Sequence, residues 1–119
     1  MKKRELDFVF RLGIVAVFLV NGIFKLQNID GVTLWMESYG FPGLFIIPAI
    51  AIELVAPILI LFKIERRFSY LSLMAFCALS AIVFHSNFSD QMQITAFLKN
   101  IALMSGLYFL MASESELQS

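Results

Sequence analysis

Long apolar runs broken by short polar segments dominate the chain. Mostly apolar stretches extend over about 8–26, 43–62, 68–84 and 94–112. Each approaches the roughly 20 residues that a helix needs to cross the hydrocarbon of a bilayer. Gln27-Asn28-Ile29-Asp30-Gly31 closes the first run, and a loop continues to Gly40-Phe41-Pro42, where proline suits the first turn of a new helix. Lys63-Ile64-Glu65-Arg66-Arg67 reads as a tight charged turn, and Ser86-Asn87-Phe88-Ser89-Asp90 separates the last two runs. The tail Ser113-Glu114-Ser115-Glu116 is polar and is expected to fray. The runs are too long for barrel strands and lack their alternation. The pattern predicts an all-α membrane protein, a single domain over 1–119 folded as a four-helix transmembrane bundle.

Composition points the same way. The chain has 119 residues, 60% hydrophobic and 15% charged, against about 45–50% and about 25% for soluble domains. A water-soluble fold of this size buries too little of its chain to hide so much apolar surface. Nine basic and nine acidic residues cancel, and no basic face stands out, so nucleic acid is excluded as a partner. The lone Cys77 excludes an internal disulfide, a CxxC pair and a cysteine-based zinc site. The single His85 has no metal-ligand spacing around it, and no metal site is expected.

Lys and Arg in the short loops set orientation. Lys2, Lys3 and Arg4 precede the first run, and Lys63, Arg66 and Arg67 lie between the second and third. The other two loops carry Asp30, Glu37 and Asp90. Both termini are therefore expected in the cytoplasm. The start resembles a signal peptide, but no small-x-small cleavage site follows it, which predicts an uncleaved signal-anchor.

Ionisable side chains inside spans are costly, about 2.5–3.5 kcal/mol at mid-helix, and usually face the bundle interior. Arg11, Lys25, Glu53, His85 and Lys99 fall in or at the ends of the apolar runs. Arg11, Val15, Phe18, Gly22 and Lys25 form one helical stripe, with Asn21 beside it. Glu53 lines up with small Ala49 and Ala56; His85 lies below Ala78 and Ala81. Thr95, Lys99, Ala102 and Gly106 form a further stripe, and small residues let transmembrane helices approach closely.

Depth along the alternating helices brings Lys25, Glu53, His85 and Lys99, with Asn21 and Asn100, into the outer half of the bundle. Arg11 stands apart on the cytoplasmic side, where its side chain is expected to snorkel to lipid phosphate. Two readings of the cluster are open. Glu53 with Lys25 or Lys99 either lines a functional polar pocket or only fixes helix register, with Lys25 and His85 serving as interfacial anchors. Pro48 and Pro57 each remove a backbone donor and are expected to bend their helix around Glu53. Most phenylalanines are expected to face lipid, Trp35 and Tyr39 to sit in the interfacial belt, and Cys77 to act as a small core hydrophobe.

The order and spacing of several of these residues form a recognisable series. Arg11-Leu12 leads to Phe18, Gly22 and Lys25-Leu26; Gly40-Phe41-Pro42 follows, then Glu53 with Pro57 and the basic Arg66-Arg67 turn. Phe84-His85 and Phe97-Leu98-Lys99-Asn100 with Gly106 complete it. In this the chain resembles the DoxX family of small membrane proteins. It departs from the family in carrying Ala56-Pro57 where glycines often follow the glutamate.

The resemblance implies a multi-pass protein of the bacterial inner membrane. Relatives include the small quinone-linked subunit of a thiosulfate oxidoreductase and members of thiol-redox membrane complexes. One functional expectation is thus an accessory redox-linked subunit with a quinone-like pocket in the outer half. Lys99, Asn100 or His85 would serve a quinone carbonyl, and Glu53 would relay protons. Electrons would need a redox-enzyme partner, because the sequence offers no haem pair, iron–sulfur cysteines or flavin motif. The alternative is a non-catalytic structural or assembly protein whose buried charges fix helix packing. Solute transport fits less well, since neither an inverted repeat nor a continuous polar path is present. A homo-oligomer is open under either reading.

Overall fold

The stripe along the first apolar run becomes the packed face of the first helix. In the computed structural model, which describes residues 2–118 and the side chains of residues 2–114, α1 spans Lys3–Gln27 with Arg11, Val15, Phe18 and Gly22 buried. A short helix, α2 (Ile29–Ser38), follows. A 3-10 turn at Gly43–Phe45 then leads into α3 (Ile46–Leu61). A tight turn with Lys63 and Glu65 at positive φ (60° and 47°) reverses the chain into α4 (Arg66–Phe84). The last helix, α5, runs Gln91–Gln118. Among the described residues, four helical segments are long and apolar enough to cross a membrane: Lys3–Gln27, Gly43–Leu61, Arg66–Phe84 and Gln91–Glu114.

Short connections make successive spans antiparallel. The start of α1, the α3–α4 turn and the last turns of α5 therefore share one end of the bundle, called here the terminal end; α2 and the α4–α5 connection occupy the far end. α1 packs along α3, α3 against α4 and α4 along α5, while the α5–α1 seam that closes the ring is much thinner. The core consists of Val15, Phe18, Ala56, Ile60, Tyr70, Leu73, Cys77 and Leu107. Outside it Phe10, Ile47, Phe68, Ile82 and Phe109 are 66–70% exposed. In water such a surface would drive aggregation; in a bilayer it is the lipid-facing surface.

α2 lies where the sequence reads as loop. Its ten residues are too short to cross a bilayer. Asn28 and Gly31 look like breakers, but Ile29, Val32 and Met36 recur at helical spacing, and Met36 is buried at 5% exposure. Asp30 in the first turn also favours a helix start.

The terminal end overturns two further expectations. Arg11 does not snorkel to phosphate, and Glu114 does not belong to a frayed tail. Arg11 donates from Nε to Glu114 Oε1 at 3.0 Å, with Nη2 also 3.0 Å from that oxygen. The Tyr70 hydroxyl donates to Glu114 Oε1 at 2.9 Å, and Arg66 Nη1 lies 3.3 Å from Oε2. Burying a guanidinium without a partner costs several kcal/mol. A glutamate that compensates Arg11 from α1 and Arg66 from α4 therefore holds the end of α5 in helical form.

This attachment also sets the face of α5. Asn100, Leu107 and Glu114 are its buried side chains, whereas Thr95, Lys99 and Ala102 are exposed. Of the stripe expected to face the bundle, Gly106 makes a close helix contact, where an added Cβ would come within 2.9 Å of Ile14 Cδ1 on α1, and Lys99 reaches only the edge of a cavity.

Replacing Glu114 with Ala strands two guanidinium groups at one site. This variant should lose about 3–5 kcal/mol, read as a large drop in the thermal unfolding midpoint in detergent micelles. Tyr70→Phe, which removes one of several hydrogen bonds to the same carboxylate, should cost only about 1 kcal/mol.

Candidate functional site

At the far end a second ion pair joins α1 to α3. Lys25 Nζ donates to Glu53 Oε1 at 2.5 Å. Their helices come together because Gly22, one turn before Lys25, has no side chain. A Cβ there would meet Leu54 Cδ2 at 2.7 Å and Glu53 Cβ at 3.1 Å. The Glu53 side chain is 1% exposed and that of Lys25 is 21% exposed, so the carboxylate is the inner partner. Lys25 Nζ also lies 5.7 Å from the centroid of the Phe76 ring, a weakly favourable cation–π distance. Pro57, four residues beyond Glu53 and inside α3, has no N–H to give the Glu53 carbonyl.

This pair forms part of the wall of a cavity of about 290 Å³. Lys25, Glu53, His85, Lys99 and Asn100 all line it, and so does Asn21. Their surroundings differ. Asn100 is buried at 8% exposure. His85 is half-buried, with Nδ1 3.1 Å from Gln93 Oε1, and Gln93 Nε2 donates to the Tyr39 hydroxyl at 3.3 Å. That chain of contacts ties α2 and α5 to the end of α4. Lys99 is exposed although it lines the cavity, so it stands at the rim. Gly22 shapes the α1–α3 contact beside the cavity and Pro57 is buried within α3, whereas Arg11 and Gly106 lie toward the terminal end; none of the four is in the lining.

The remaining wall is aromatic, a feature that residue-by-residue reading missed. Trp35 on α2 stacks on Phe84 of α4 with ring centroids 4.6 Å apart and 28° between planes. Tyr39 and Phe41 meet the same Phe84 ring edge-on, at 5.4 and 5.7 Å. Phe18 and Phe76 line the cavity lower down. Trp35 lines the cavity, and Tyr39 packs beside it on Phe84. The available signal was their spacing of four residues, which places both on one side of a helix once α2 is recognised. Among the described residues no group of three or more His, Cys, Asp or Glu side chains could hold a metal ion.

The DoxX family model matches residues 6–86, the segment that carries Lys25, Glu53 and His85. The chain belongs to the DoxX family. It is also similar to inner membrane protein YqjF of Escherichia coli (strain K12), at 30% identity over 102 residues, covering 86% of this chain and 78% of that protein. No solved structure matches. This DoxX protein is accordingly a multi-pass inner-membrane protein whose four spans contact lipid. Its last helix, with Lys99, Asn100 and Glu114, lies beyond the family match.

The unequal burial of the ion pair gives an ordered expectation. Lys25→Met strands a fully buried carboxylate and should cost about 3–5 kcal/mol. Glu53→Gln should cost less, because Lys25 sits near the end of α1 and can reach the interface. The double variant Lys25→Met/Glu53→Leu should recover most of the loss. Thermal unfolding of all three in the same detergent checks the order, and a Lys25→Met protein as stable as wild type would contradict it.

Proposed function

We propose that this DoxX protein is an accessory, redox-linked membrane subunit whose far-end cavity takes a quinone-like head group. The observation that supports this best is the cavity lining. Flat aromatic walls from Trp35, Phe84 and Phe41 face a small set of polar groups from α1, α3 and α5. Ligand sites are commonly of this kind, mainly apolar with a few placed donors and acceptors. A volume of about 290 Å³ suits one ring system, and an apolar tail would extend between the helices into lipid.

In this reading a bound quinone supplies a two-electron, two-proton carrier. The chain's own residues orient it and handle protons. Asn100 and Lys99 offer N–H donors to carbonyl oxygens, and Trp35 and Phe84 offer stacking faces. The Glu53 carboxylate, held by Lys25, is the group able to accept or return a proton at its Oε atoms. His85, with one ring nitrogen bonded to Gln93, is a second polar contact at the mouth. One cysteine and one histidine cannot ligate a haem pair or an iron–sulfur cluster, so electrons would pass to a partner subunit. With both termini in the cytoplasm, the cavity would face the periplasmic half of the bilayer.

A second reading has its own support. The Arg11–Glu114 contact joins α1 to α5 away from the cavity, and in this reading Lys25–Glu53 is another such joint. Native mass spectrometry of the chain extracted gently from its own membrane separates the two. The redox reading expects a stoichiometric quinone or a redox-enzyme partner. In the same membranes Glu53→Gln should abolish quinone-dependent activity of that complex while the protein level holds. If activity is unchanged in that variant the proposal fails; if the level collapses and only phospholipid is carried, the structural reading takes its place.

A further inference from the structure

Charge counting on the cavity wall leaves one cation over. Lys25 and Glu53 neutralise each other at 2.5 Å. Lys99 lines the same cavity, and among the described residues no carboxylate lies within 4.0 Å of its ammonium. The other polar groups on the wall, Asn21, Asn100, Ser80 and His85, carry no formal charge at pH 7 with histidine counted neutral. A cation exposed at the rim of a mainly apolar cavity attracts a group of opposite sign, and more strongly than in bulk water.

Position adds a second argument. α1 and α5 meet toward the terminal end, through Ile14 against Gly106 and through Arg11 with Glu114. Toward the far end, Asn21 of α1 and Lys99 and Leu103 of α5 border the cavity instead. This is the thinnest seam in the ring of helices. Lysine side chains on a helix lean toward its N-terminus. α5 begins at the far end, and Lys99 stands exposed at the rim of the cavity there.

We infer that the cavity takes its ligand as an anion: an apolar body bearing one ionised oxygen, admitted from the lipid between α1 and α5, with Lys99 as its counter-charge. The inference rests on the quinone-like reading above and sharpens it, because it selects acidic hydroxyquinones over neutral quinones. A Lys99 that only snorkels to the interface would show no such selection.

The test uses the full chain in nanodiscs of zwitterionic phosphatidylcholine, which supply no anionic lipid. Trp35 is the single tryptophan of the chain and stacks on Phe84 in the cavity lining, so its emission reports occupancy. Three probes are titrated: an alkyl 2-hydroxy-1,4-naphthoquinone, which is ionised at neutral pH, its neutral 2-methoxy counterpart, and dodecanoate. Lys99→Gln should weaken binding of the hydroxy probe about tenfold or more. It should weaken the methoxy probe by no more than about threefold, since Gln keeps an N–H donor. Lys99→Arg, which keeps the charge, should retain the selectivity and controls for folding.

If Lys99→Gln leaves the hydroxy probe unaffected, or weakens both naphthoquinones equally, the anion inference is overturned while the quinone reading stands. Lys99-dependent binding of dodecanoate with no response to either naphthoquinone keeps the anion inference and overturns the quinone reading. No response to any probe overturns both.

Discussion

A charged side chain inside hydrocarbon has to be matched, and α1 carries two, Arg11 and Lys25, on a single stripe about four turns apart at 3.6 residues per turn. Their partners come from different helices. Glu53 reaches Lys25 from α3, and Glu114 reaches Arg11 from α5 with Tyr70 and Arg66 of α4 joining it. In a bilayer the hydrophobic effect does not press helices together, so close packing and polar contacts must do it. The two ion contacts therefore fix α1 at both ends: against α3 at the far end, and against α4 and α5 at the terminal end. Between them Val15 and Phe18 fill the core.

That arrangement explains why the cavity lies where it does. At the far end Gly22 lets α1 settle against α3, which draws it toward one side of the ring. At the terminal end Glu114 draws α5 toward α1, and Gly106 admits Ile14. Among the described residues nothing comparable joins α1 to α5 above these contacts, and the space left there is walled by aromatic side chains and covered by α2. The cavity is thus a consequence of how the ion pairs are distributed. The Lys25–Glu53 pair joins α1 to α3 and also lines the space beside it, so the atoms of one contact serve both the packing and the wall.

The sequence conveyed the four spans and the inner face of α1, because both follow from local quantities: the length of an apolar run and the periodicity of Arg11, Val15, Phe18, Gly22 and Lys25. It also drew Lys25, Glu53, His85, Lys99 and Asn100 toward one end, since alternating direction along a bundle is enough to assign depth. The partner of Glu53 was not legible. Lys25 and Lys99 are equivalent as charges, and only the close α1–α3 approach at Gly22 decides for Lys25. Glu114 was misread for a related reason. Its partner Arg11 is 103 positions away in the chain, so its own neighbourhood looks like a solvated tail. The true face of α5 then followed Glu114 and Leu107 rather than the small residues that suggested another. α2 was hidden by its polar content, and with it the aromatic contacts of Trp35 and Tyr39.

The family match covers 6–86 and stops at the start of the α4–α5 connection, which divides the cavity wall into two parts. The matched segment supplies the neutral Lys25–Glu53 pair, His85 and the aromatic faces of Trp35, Phe41 and Phe84. α5 supplies Asn100 and the uncompensated Lys99, together with the Glu114 that anchors it. Lys99 of α5 adds a second cation to a lining whose carboxylate, Glu53, is already held by Lys25. The two buried acids therefore act at different places: Glu53 joins α3 to Lys25 on the cavity wall, and Glu114 ties the helix that carries Lys99 to α1 and α4.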